Sequence, residues 1–399
     1  MTLRISKGLI PFIILALCAA CNRAHQTGVS VTIESDFDRL MMVEIPLKTI
    51  EPSASGQWIV KDEDGHEIAS QVTSDSLLIF QAMLAPKGTS TFWISPGEHA
   101  PYDTLATGRI YHERLDDVAW ENDNVAFRAY GPALQRNGER GYGYDLFLKH
   151  GPTGPVLEQL YARELQPGWH QRVDSLRRAG LTAQADSVAA FHSYHTDSGL
   201  GMDPYAVGST LGAGVAALLD DEGNFSYPWC YQTAEVLEQG PLRFRVFLTF
   251  PPRELDGDTI TEVRLITLDA GQNLNHTVVK YLGLSKPRTI VSGVPLRDDA
   301  PYTANAAEGY ISYCDPALAG NNTPEQRGNL FVGLAYPFTP DSAKVVTDAG
   351  QPHLVAYTTY QPDSLYVYYW GYGWDLGNIP SYSAFNTLLS HQSLSSRPD

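Results

Sequence analysis

The chain predicts an all-β fold, on three observations. Short runs rich in β-branched and aromatic residues recur along it, Gly, Pro, Asn and Asp turns separate them, and helical periodicity is confined to one stretch. Between 28 and 97 the runs 29–34, 42–47, 57–61, 76–82 and 90–94 partly alternate, and Asp62-Glu63-Asp64-Gly65 between two of them is a hairpin signal. These residues predict a small N-terminal β-sandwich, with Pro96-Gly97-Glu98-His99-Ala100-Pro101 as a linker. The runs 125–130, 144–148, 242–250, 259–268, 275–282, 330–335 and 366–370 predict a second, larger sandwich over 108–390. The exception is the neighbourhood of 157–190. There Val173, Leu176, Leu181, Ala185, Val188 and Phe191 recur at near-helical spacing, which predicts a short insertion of one or two amphipathic helices.

The first 21 residues read as a targeting segment. Arg4 and Lys7 precede a mostly apolar run over 9–17, and Ala19-Ala20-Cys21 follows as a small-residue cleavage point ending in cysteine. A cysteine in that place predicts a lipoprotein of the cell envelope. It would be held to the outer membrane by a lipid on Cys21, facing the periplasm, with no other membrane contact. Loss of Arg4 and Lys7 deepens a formal net charge that is already −17. So acidic a chain is unsuited to nucleic acid, whose phosphates must be met by lysine and arginine. Two further cysteines, Cys230 and Cys314, either pair in an oxidising compartment or stay as thiols; their spacing decides nothing.

The residues richest in chemistry are Tyr194-His195-Thr196-Asp197-Ser198-Gly199-Leu200-Gly201-Met202-Asp203-Pro204-Tyr205, followed by Gly208, Gly212 and Gly214. Glycines at this density predict a shaped loop with positive φ rather than a helix. On extended backbone, residues two apart point the same way, so Asp197 is expected to orient His195 as a general acid or base. Asp203 and Tyr205 stand in the same relation, and a phenol can act as proton donor. His195, Asp197 and Asp203 could instead hold a divalent metal such as calcium, although their spacing matches no ligand signature; no other cofactor is expected. Arg128 and Tyr130 share one strand face, with Arg128 suited to a substrate carboxylate. Tyr144, Trp370 and Trp374 are expected to offer rings on which sugars stack. No phosphate loop, HExxH helix or GxSxG elbow is present.

Taken in order, Glu121…Phe127-Arg128-Ala129-Tyr130-Gly131-Pro132, then Gly143-Tyr144-Asp145, then Tyr194-His195-Thr196-Asp197…Asp203…Tyr205, then Tyr368-Tyr369-Trp370-Gly371 and Gly373-Trp374, form a distinctive set. In these motifs the chain resembles a family of uncharacterised exported Bacteroidota proteins carrying a domain of unknown function. Members are often encoded beside unsaturated-uronyl hydrolases in polysaccharide-utilisation loci. The resemblance implies a carbohydrate context and a larger domain of galactose-mutarotase-like supersandwich form. The function expected from it is cleavage of oligosaccharides, uronate-containing ones foremost, by β-elimination or glycosidic acid–base chemistry. His195, Asp197, Asp203 and Tyr205 would be the catalytic set. A mutarotase-type sugar epimerase and a non-catalytic glycan-binding lipoprotein are the alternatives.

Overall fold

The computed structural model describes residues 27–32, 38–297, 300–318 and 326–396, with a two-residue strand at Ala16–Leu17. Cys21 lies outside the described residues. The chain is all-β in architecture, as expected. At the N-terminal end, Ala16–Leu17, Thr27–Thr32, Thr89–Pro96, Trp58–Lys61 and Glu67–Ile68 form one antiparallel sheet, and Arg39–Pro46, Leu77–Leu84 and Ser70–Val72 a second. Alternation along Arg39–Pro46 turns Met41, Val43 and Ile45 inward against Val29, Val31, Phe92 and Ile94. The hairpin at Asp62–Gly65 closes through Asp62 N–H to His66 O (3.0 Å), with Gly65 at φ +85°.

The remainder is built from three antiparallel sheets around one large apolar core. Nine strands between Thr233 and Trp374 make the broadest sheet; five strands, with Arg288–Pro295 at the centre, pack across it. A smaller sheet of Asp145–Phe147, Ala126–Ala129, Asp117–Glu121 and Thr107–Tyr111, in that order, sets Trp120 and Phe127 against Trp370. The N-terminal sandwich docks on this body through polar groups. Arg243 bridges Glu44 (2.6 Å) and Asp269 (2.6 Å), and Gln81 Nε2 donates to Ala270 O (2.6 Å).

The helical insertion comprises three helices, Leu157–Glu164, Trp169–Arg178 and Thr182–His192. Its first turn is fastened to the small sheet by Glu121, whose carboxylate accepts from the N–H groups of Val156 (2.9 Å) and Leu157 (2.8 Å). Lys149 Nζ neutralises the same carboxylate at 2.7 Å. A negative charge at a helix start satisfies otherwise orphaned donors and meets the positive end of the helix dipole. A terminal helix, Tyr382–Ser396, was not foreseen from sequence; it covers the broad sheet through Phe385 and Leu389.

The sugar platform expected of Trp370, Trp374 and Tyr144 is not formed. All three are buried, at 0%, 1% and 1% exposure, because the strand Tyr366–Trp374 lies mid-sheet and is covered on both sides. Trp370 stacks on Tyr144 at 4.1 Å and donates from Nε1 to Thr277 Oγ1 (2.8 Å), while Trp374 donates to Arg327 O (2.7 Å). These rings are core. Replacing Trp370 by Ala should therefore destabilise the fold by about 3–5 kcal/mol. Denaturant unfolding measures this directly, and a loss below about 1 kcal/mol would be incompatible with the packing described.

Candidate functional site

Three strands and one loop converge on Arg128. On the small sheet Arg128 lies directly opposite Asp145, so the two side chains share a face. The loop that follows helix Thr182–His192 is fastened at both ends. Tyr194 N–H donates to Glu164 (3.0 Å), Asp203 N–H to Tyr194 O (2.8 Å), and Met202 and Leu148 exchange backbone bonds of 2.7 and 3.1 Å. Gly199 (φ +93°) and Gly201 (φ +109°) take the backbone conformations their sequence predicted. At Gly201 a side chain would also collide with the carbonyl oxygen of Leu148.

Arg128 is the centre of a buried cage. Its Nε donates to Asp145 Oδ2 (3.0 Å), its Nη2 to both Asp145 and Asp203 (2.8 Å to the latter), and its Nη1 to the Tyr194 hydroxyl (3.3 Å). Tyr130 shares its face as expected and donates its hydroxyl to Asp145 at 2.5 Å. Arg128 is only 3% exposed, so its expected role on a substrate carboxylate gives way to an internal one. Asp117 stands 3.7 Å from Nη1, yet neither of its oxygens has a hydrogen-bond partner. Burial pushes its carboxyl up to about 7 against the pull of Arg128 and Arg114. Burial, with Asp145 close by, raises Asp203 to about 6, again opposed by Arg128.

A half-exposed imidazole, His195, edges this cage. His195 is 38% exposed, and its Nδ1 lies 2.9 Å from the backbone carbonyl of Asp203 and 3.7 Å from that residue's carboxylate. A carbonyl can only accept, so Nδ1 carries the proton and the neutral ring presents Nε2 as a bare lone pair. Asp203, not Asp197, is thus the residue that orients His195. The expected i, i+2 geometry fails because the chain turns at 193–196, where Thr196 N–H bonds Ser193 O. Asp197 pairs instead with His150 Nε2 at 2.8 Å and accepts from the N–H groups of Gly199 (3.0 Å) and Gly201 (3.3 Å). Burial pushes Asp197 up, but the bonds from Gly199, His150 and Gly201 outweigh it and hold the carboxyl below its ordinary range.

Tyr205 is 6% exposed and accepts a hydrogen bond from the Tyr313 hydroxyl (3.2 Å). Burial raises it above the usual phenol range, so it keeps its proton and faces the interior. His150, Asp145 and Asp117 are site residues to which the sequence pattern assigned no role. His150 meets its partner across 47 positions, so no local motif could have revealed it. Among the described residues no group of three or more His, Cys, Asp or Glu side chains is placed to hold a metal. Cys230 and Cys314 are both free thiols.

Asp117 yields a test of the cage. Its neutral form contributes stability that is complete below about 4, the ordinary range, and is lost as pH rises through about 7. Asparagine cannot ionise, so the cost of Asp117→Asn should be smaller at pH 8 than at pH 5. Urea unfolding at the two pH values decides it; an equal or larger cost at pH 8 would show that the carboxylate is well accommodated when charged.

Comparison with known proteins adds a family. An uncharacterized protein, P7, of Formosa agariphila is 25% identical over 350 residues, covering 85% of this chain and 77% of its own length. Two solved structures from Enterococcus faecalis, an alpha-mannosidase and a protein in glycosyl hydrolase family 38, align over 92% of this chain with TM-scores of 0.48 and 0.47 and identities of 9% and 10%. This chain spans less than half of either, 45% and 46%. The model of the DUF4861 family, a domain of unknown function, matches residues 31–396, and the chain belongs to that family.

Proposed function

We propose that this protein is a carbohydrate-active enzyme that cleaves uronate-containing oligosaccharides by acid–base chemistry, with His195 as the base. The observation that carries this reading is a half-exposed imidazole whose Nδ1 is committed to Asp203, which leaves Nε2 as the nitrogen that can accept a proton. A base that must accept a proton near neutral pH needs a fixed tautomer, an open nitrogen and a carboxylate nearby to stabilise the imidazolium. The motifs' resemblance to exported proteins of polysaccharide-utilisation loci supports a glycan as the substrate.

In β-elimination His195 Nε2 takes the proton at C5, α to the uronate carboxylate. The C–H electron pair becomes the C4=C5 double bond, and the bond from C4 to the glycosidic oxygen breaks. The leaving oxygen takes a proton from a second group, a role we assign to His150, held by Asp197 and 36% exposed, rather than to the buried Tyr205. No metal enters this scheme. The protein would work in the cell envelope, held through a lipid on Cys21 at the periplasmic face of the outer membrane.

Ultraviolet absorbance with a panel of uronate oligosaccharides tests the reading. The intact protein should produce the conjugated unsaturated uronate, and His195→Ala should lower the rate by at least about a hundredfold. Because His195 lies at the surface, the melting temperature should hardly move. Retained turnover in His195→Ala would sink the assignment. An altered anomer or epimer with no absorbance rise would replace cleavage by epimerisation.

A further inference from the structure

Several arginines of the cage and its surroundings are claimed by acidic side chains. Arg128 is held by Asp145 and Asp203, Arg114 lies near Asp117 and Glu139, Arg109 bridges Glu113 and Glu158, and Arg297 pairs with Asp315. Arg163 differs. It projects from helix Leu157–Glu164, and among the described residues no carboxylate lies within ion-pair distance of its guanidinium. Its Nη1 donates to Ser198 Oγ at 2.9 Å, and its guanidinium carbon sits 4.6 Å from the centre of the Phe191 ring. Ser198 follows Asp197 on the loop that holds His195, so the cation is moored to that loop.

From this geometry we infer that Arg163 and Ser198 form an anion subsite that reads a carboxylate or sulfate ester on the bound glycan. The inference rests on the glycan reading of the His195 site. Packing on Phe191 and the bond to Ser198 spend one guanidinium donor and much of the side chain's freedom before any ligand arrives. The remaining N–H groups form a planar fork suited to two oxygens of one anionic group. Ser198 Oγ accepts from Arg163, so its own proton stays available to the same ligand. In a chain of net charge −17 an uncommitted cation beside the site also offsets a field that would otherwise repel an acidic sugar.

Calorimetric titration of the full chain tests this with four probes: uronate oligosaccharides of two to four sugars, their methyl esters, sulfated neutral oligosaccharides, and the same sugars without sulfate. One probe of each anionic kind separates carboxylate from sulfate as the group read. The intact protein should bind an anionic probe at least about tenfold more tightly than its uncharged counterpart. Arg163→Gln should bring that ratio close to one with an unchanged melting temperature, and Arg163→Lys should keep part of it. A preference that survives Arg163→Gln overturns the subsite. Equal binding of charged and uncharged sugars by the intact protein also overturns it but leaves the His195 reading standing. Failure to bind any of the glycans overturns both.

Discussion

The site depends on burying one guanidinium. Arg128 is withdrawn from water at the junction of two paired strands and the His195 loop, and that is tolerable only because Asp145, Asp203, Tyr130 and Tyr194 surround it. Taking one partner from such a buried pair costs about 3–5 kcal/mol, since the stranded charge has no solvent to turn to. The cage thereby fixes Asp203, and Asp203 fixes the ring of His195. Burial, with Asp145 close by, drives Asp117 and Asp203 toward their protonated forms against the pull of Arg128. The exposed chemistry at the rim is held by a charge balance that no substrate reaches.

Local rules served well where the cause was local. The glycines of the loop are at positive φ as their spacing indicated, the acidic hairpin turn closes as a turn, and Arg128 and Tyr130 share a strand face. They failed wherever the deciding partner was distant. Sequence spacing pairs Asp197 with the histidine two residues away, but a turn intervenes and the histidine it meets is His150. The aromatic strand Tyr366–Trp374 offers Trp370 and Trp374 as a platform in sequence, yet both lie on the face packed into the main core. Its outer face is closed by a helix whose Ser-rich sequence gave little sign of an apolar stripe. Whether a tryptophan is a platform or a core residue is settled by what lies across it, which a single strand does not encode.

The insertion shows how a surface element acquires precision. Three short helices have little stability of their own, yet the first is clamped to the small sheet by Glu121 and Lys149, both buried. That clamp and the bond from Tyr194 to Glu164 transmit the rigidity of the sheet to the helix that carries Arg163 and to the start of the His195 loop. The proton-handling residues and the proposed anion-reading residue thus lie on different segments with one common anchor.

The tight passage of Gly201 beneath Leu148 has a consequence for how this protein can change. The loop is pinned at Tyr194 and again at Met202, and Gly201 leaves no slack between the second pin and the strand. Its length is therefore set, whereas Thr196 and Ser198 have side chains that the pins do not use. A segment of set length and open composition can drift by substitution while insertions and deletions are barred. Preference for one sugar over another can diversify there, generation by generation, without disturbing the imidazole alongside.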